Sequence, residues 1–74
     1  MAELNDLLAS VFEIDSSKLS DEQTWNDIPN WDSLRQMVLI AAIEEKYKFE
    51  LTFDEIAEMN SIGNIRKIVS SKIN

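Results

Sequence analysis

Neither cysteine nor histidine occurs among the 74 residues. The first absence excludes a disulfide framework and thiolate metal sites, and it suits a reducing compartment. The second leaves only carboxylates for a zinc site and removes the commonest general base, along with the Ser–His and Cys–His nucleophile pairs. One glycine and one proline give a chain of this length little means of shaping a water-excluding pocket. Basic residues are scarce too: seven against fourteen acids, for a net charge of −7. Such a field repels phosphate backbones and anionic lipid, so nucleic acid and membrane surfaces are poor partners and basic protein patches are good ones. No apolar run is long enough to span a bilayer, and the N-terminus lacks the basic-then-apolar layout of a signal peptide. These absences describe a non-catalytic, acidic, cytoplasmic chain without membrane insertion.

What is present is enough apolar material, 45% of residues, to fold one small domain over 1–74. Charge is unevenly placed. Eight acids (Glu3, Asp6, Glu13, Asp15, Asp21, Glu22, Asp27, Asp32) and one base, Lys18, precede Arg35, whereas only Arg66, Lys67 and Lys72 follow Glu58. Met1 favours a free-standing chain, and nothing argues for an oligomer, so a monomer is expected.

Hydrophobic spacing lays out the elements. Leu4, Leu7, Leu8, Val11 and Phe12 form one stripe and predict a helix over 3–13. From Asp15 to Asp32 the apolar residues follow neither helical nor strand period, which predicts a long loop with helical turns near 16–19. Trp25, Ile28 and Trp31 are expected to pin that loop to the core. Ser33–Tyr47 is apolar over most of its circumference, the mark of a central helix, and Ser33 with Gln36 reads as a capping box at its start. Thr52 with Glu55 repeats that pattern before a short helix over 53–58, and Ser61 caps a last helix bearing Ile62, Ile65, Ile68, Val69 and Ile73. The predicted fold is all-α: a small four-helix bundle, three longer helices and a short third, with a long first connection.

Trp31-Asp32-Ser33-Leu34 stands where the loop enters the second helix, and here the chain resembles the acyl carrier protein family, whose signature is Asp-Ser-Leu at that place. Thr24, Trp25, Asp27 and Ile28 match the family's approach to its serine. Leu39, Ile43, Glu44, Glu45 and Tyr47, then Glu50-Leu51 and Ser61-Ile62, follow in register, so the likeness covers essentially the whole chain. The resemblance implies that Ser33 carries 4′-phosphopantetheine, delivered from coenzyme A by a phosphopantetheinyl transferase with help from Asp32. It also implies acyl cargo held as a thioester and presented to acyl-loading and acyl-using enzymes with basic docking patches. Read locally, Ser33 is an N-cap with Gln36 as its partner, or Asp32 caps in its place, and Asp32 is in either case an N-terminal acid that suits the helix dipole.

Departures from the family pattern bear on the partners. Asn30 replaces the family's glycine three residues before the serine and tolerates positive φ. Arg35 and Val38 replace acids that face partners in carriers of fatty-acid synthesis, which suggests a specialised pathway with Leu34, Arg35, Val38 and Ala41 as docking face; otherwise Val38 packs under the loop. Leu39, Ile43, Phe49, Ile56, Met59 and Ile65 are core, or else they line a space for the acyl chain. An aminoacyl, peptidyl or D-alanyl carrier shares the attachment chemistry. An unmodified helical adaptor, in which Ser33 is dispensable, is the reading from another class.

Overall fold

The computed structural model describes residues 2–73, so Met1 lies outside the described residues. Four α-helices follow one another: α1 (Ala2–Phe12), α2 (Ser33–Tyr47), α3 (Phe53–Glu58) and α4 (Ile62–Ile73), with a 3-10 turn at Ser16–Lys18 in the long first connection. The all-α expectation holds, and the observed helix limits lie within one residue of those read from spacing.

The core forms where the apolar stripes meet. Leu4, Leu8, Val11 and Phe12 of α1 bury against Leu39 and Ile43 of α2 and Ile62, Ile65, Ile68 and Val69 of α4, with Leu51 and Met59 closing the α3 side. Each large aliphatic or aromatic side chain buried in this way contributes roughly 1.5–3 kcal/mol. Among the described residues no buried polar side-chain atom lacks a partner. The second helix is less enclosed than its composition suggests. Leu34 and Met37 are each 69% exposed and Val38 46%, because no element covers that face.

With a single glycine available, two helices end on charged residues in the left-handed region: Glu13 (φ 57°) after α1 and Lys48 (φ 61°) after α2. Around Glu13 the Ile14 N–H donates back to the Ala9 carbonyl at 3.0 Å, the closing bond of a Schellman end. The lone glycine serves close approach instead. A Cβ on Gly63 would stand 2.9 Å from the Asp21 carbonyl oxygen, and that oxygen accepts from the Gly63 N–H at 2.9 Å.

That contact shows how the irregular segment is held. The Ile62 N–H donates to the Gln23 carbonyl at 3.0 Å, so the loop supplies acceptors to the otherwise unpaired start of α4. Thr24 and Ser61 form an isolated antiparallel bridge beside them, and Arg66 pairs with Asp21 while reaching Asn5 Oδ1 at 2.8 Å. Ile28 and Trp31 are buried as expected. Trp25 is not: it is 52% exposed, and the backbone bridge at Thr24 anchors that stretch in its place.

Candidate functional site

The junction between the long loop and α2 is built from residues 30–36. Asp32 has extended backbone (φ −126°, ψ −175°), and its side chain accepts from the Arg35 N–H at 2.8 Å. Asp32 is therefore the N-cap and Ser33 the first helical residue. This corrects the expected Ser33–Gln36 capping box. The physical reason lies in two competitors. An aspartate one residue earlier is the acceptor for the helix start, and Gln36 is drawn elsewhere: its Oε1 accepts from Trp31 Nε1 at 2.7 Å and its Nε2 donates to the Met59 carbonyl at 3.4 Å.

The consequence falls on Ser33, which is exposed and whose hydroxyl plays no part in the cap. Of the four N–H groups that open α2, that of Arg35 goes to the Asp32 carboxylate and that of Gln36 to the Asp32 carbonyl at 2.9 Å. Those of Ser33 and Leu34 remain for solvent or for an anion at the positive end of the helix dipole. An exposed hydroxyl beside two free N–H groups is a fitting place for a phosphodiester. Asp32, also exposed, lies beside it.

Around this point the loop is tied to α1. Trp31 is 4% exposed, and its ring lies on Phe12 with centroids 4.9 Å apart. Asn30 does not have the positive φ that its replacement of a glycine suggested; among the described residues only Glu13 and Lys48 have it outside glycine. Instead its Nδ2 donates to the Phe12 carbonyl at 2.8 Å. Arg35 likewise turns toward α1, with Nη1 on the Val11 carbonyl at 2.7 Å and Nη2 paired with Glu13. Sequence spacing carried no sign of either contact, since both span about twenty residues.

The remaining residues singled out in the sequence fall into two sets. Leu34, Val38 and Ala41 lie exposed on α2, joined by Met37. Leu39, Ile43, Met59 and Ile65 are buried in the core, and Phe49 and Ile56 are partly buried against it. Among the described residues no group of acids could hold a metal ion, and no helix is long and apolar enough to cross a membrane.

A helical carrier of a covalent phosphate-linked group is the class this arrangement describes. The family model for the phosphopantetheine attachment site matches residues 2–69, and the chain belongs to that family. Among its relatives, an acyl carrier protein of Clostridium acetobutylicum is 29% identical over 62 residues, 84% of this chain and 80% of that one. The solution NMR structure of a holo acyl carrier protein from Geobacter metallireducens superposes with a TM-score of 0.85 at 33% identity, covering 97% of this chain and 83% of that one. A Mycobacterium tuberculosis protein described as an acyl carrier protein shares the fold, with a TM-score of 0.83 at 18% identity over 96% and 95% of the two chains. The chain is thus an acyl-carrier-type domain whose cofactor is covalent 4′-phosphopantetheine, and it serves other enzymes as a carrier, not as a catalyst.

Proposed function

We propose that Ser33 is the attachment point and that the chain carries acyl intermediates in a specialised biosynthetic pathway. The observation that carries this reading is the freedom of the Ser33 hydroxyl: Asp32 caps α2, and the serine is left exposed beside unpaired N–H groups. A transferase brings coenzyme A to this junction. The Ser33 oxygen attacks the phosphorus that bears the pantetheine arm, and the pyrophosphate bond breaks with adenosine 3′,5′-bisphosphate as leaving group. The serine proton goes to the enzyme, and the first turn of α2 stabilises the phosphodiester formed. Asp32 keeps the turn in place through its bond to the Arg35 N–H. Once attached, the arm supplies a thiol on which acyl groups travel as thioesters.

Leu34, Val38 and Ala41 form the docking face of this reading, with Met37 added on its exposure. Arg35 belongs at its edge, since its charge is already paired with Glu13. The partners are the transferase and the enzymes that load and use the cargo; the acidic balance of the chain favours basic surfaces on them. Leu39, Ile43, Phe49, Ile56, Met59 and Ile65 are the side chains between which an acyl chain would lodge, by parting the core they now fill. The specialised pathway rests on the uncharged α2 face: from Ser33 to Ile43 the single ionised side chain is Arg35.

Intact mass after incubation with coenzyme A, Mg²⁺ and a broad-specificity phosphopantetheinyl transferase tests the reading. A gain of one phosphopantetheine by the native chain and none by Ser33→Ala is expected. An equal gain by both would remove Ser33 from its role.

A further inference from the structure

The two replacements nearest the serine make the same kind of contact. Asn30 donates to the carbonyl of Phe12 and Arg35 to that of Val11, at 2.8 and 2.7 Å. Val11 and Phe12 are the last residues of α1, whose terminal carbonyls have no acceptor role within the helix and carry the negative end of its dipole. A guanidinium is well matched to that end, and Arg35 also pairs with Glu13, the left-handed residue that terminates the helix. A glycine in place of Asn30 would have no side chain to donate, and an acid in place of Arg35 would have no proton to donate when ionised. The two contacts bracket Ser33, one three residues before it and one two residues after it. Between them Trp31 rests on the Phe12 ring and holds Gln36. The strand of loop entering the serine and the helical turn leaving it are thus fastened to one point.

We propose that Asn30 and Arg35 are positioning residues for the attachment serine, forming a two-point clamp on the C-terminal carbonyls of α1. The inference rests on the reading of Ser33 as the attachment point. The clamp fixes the junction before any partner arrives, so no ordering of the loop opposes docking and the hydroxyl meets the transferase in one geometry. It also turns the charge of Arg35 toward Glu13 and the end of α1, at the edge of the docking face.

The test compares the unmodified native chain with Asn30→Ala, Arg35→Ala, Arg35→Lys and the double alanine variant, using two readouts. One is hydrogen exchange at the Trp31, Arg35 and Gln36 amides and the Trp31 indole, measured against Leu39 and Ile43 in the middle of α2. The other is the kinetics of arm transfer by a phosphopantetheinyl transferase. Each alanine variant is expected to speed exchange at the junction roughly tenfold relative to the reference amides. Each is expected to lower kcat on the order of tenfold with little change in KM, and Arg35→Lys, with one donor nitrogen in place of the two-nitrogen fork, should fall between native and Arg35→Ala. A rise in KM alone for Arg35→Ala would mean that Arg35 touches the transferase, and the clamp would be overturned. Faster exchange spread evenly over junction and core would overturn it as well, since the two residues would then be only structural. Should the double variant fail to fold, the single variants carry both readouts. A native chain that takes no arm overturns the attachment reading and with it the purpose of the clamp, whereas transfer at native kcat in both single variants overturns the clamp alone.

Discussion

The starts of α2 and α3 share a sequence pattern and differ in structure. At α3 the pattern closes as written: the Thr52 hydroxyl accepts from the Glu55 N–H at 3.2 Å, and the Glu55 carboxylate accepts from the Thr52 N–H at 2.8 Å. At α2 the corresponding residues, Ser33 and Gln36, never meet in that way. Asp32 takes over the cap, Gln36 turns to Trp31 and Met59, and the serine is released. One helix start uses its hydroxyl to hold itself together, and the other keeps its hydroxyl spare. That difference separates a structural cap from an attachment site, and it depends on a neighbouring acid and a tryptophan that the four-residue pattern does not include.

The largest expected effect sharpens the contrast directly. Ser33→Ala should abolish arm attachment while leaving thermal stability within about 0.5 kcal/mol of native, as for a surface change that removes no cap; intact mass and thermal unfolding check the two halves. Thr52→Ala should do the reverse, leaving attachment unchanged and costing about 1 kcal/mol of stability in the same unfolding measurement. A Ser33→Ala variant as destabilised as Thr52→Ala would erase the distinction.

Next in size is the cost of the loop's grip on α4. Gly63→Ala would bring a methyl to 2.9 Å from the Asp21 carbonyl oxygen, backbone that cannot swing aside. Denaturant unfolding should record a loss of roughly 1–3 kcal/mol. Asp32→Ala, which deletes the cap of α2, should lose about 1 kcal/mol, and Asp32→Asn should recover most of it because the amide oxygen can still accept from the Arg35 N–H. An unfolding series in which Asp32→Ala is neutral would return the cap to Ser33.

The smallest effect is one of pH at α3. The Thr52 N–H bonded to Glu55 holds its carboxyl below the usual glutamate range, with Lys72 at 3.1 Å lowering it further. A carboxyl depressed in the folded state adds stability at pH values above its unfolded pKa and loses it as pH falls through the folded one. Acid titration should therefore loosen the start of α3 only below the ordinary carboxylate range, followed through the side-chain ¹³C shift of Glu55. Titration of Glu55 at its ordinary value would mean that the box is open in solution.

Much of the fold was legible in the sequence because burial follows period: Leu4, Leu8, Val11 and Phe12 on α1, and Ile62, Ile65, Ile68 and Val69 on α4, lie in the core where their spacing put them. The serine at the head of α2 was legible from Asp32-Ser33-Leu34 and its flanks. Contacts made across the chain were not. Nothing local to Asn30 or Arg35 reveals that both reach the end of α1. An apolar circumference marked α2 as central, yet Leu34, Met37 and Val38 stay exposed. Trp25, an anchor by size, stays half exposed because the backbone bridge at Thr24 does the anchoring.

Locating the arm on the chain decides directly whether Ser33 is the attachment point. The native chain, loaded by a phosphopantetheinyl transferase, should be digested and its peptides fragmented by mass spectrometry that preserves the phosphodiester. The added mass is expected on Ser33 and on no other hydroxyl. The same mass on Ser61, Thr52 or any residue other than Ser33 would contradict that expectation, and the uncapped serine at the head of α2 would lose its assigned purpose.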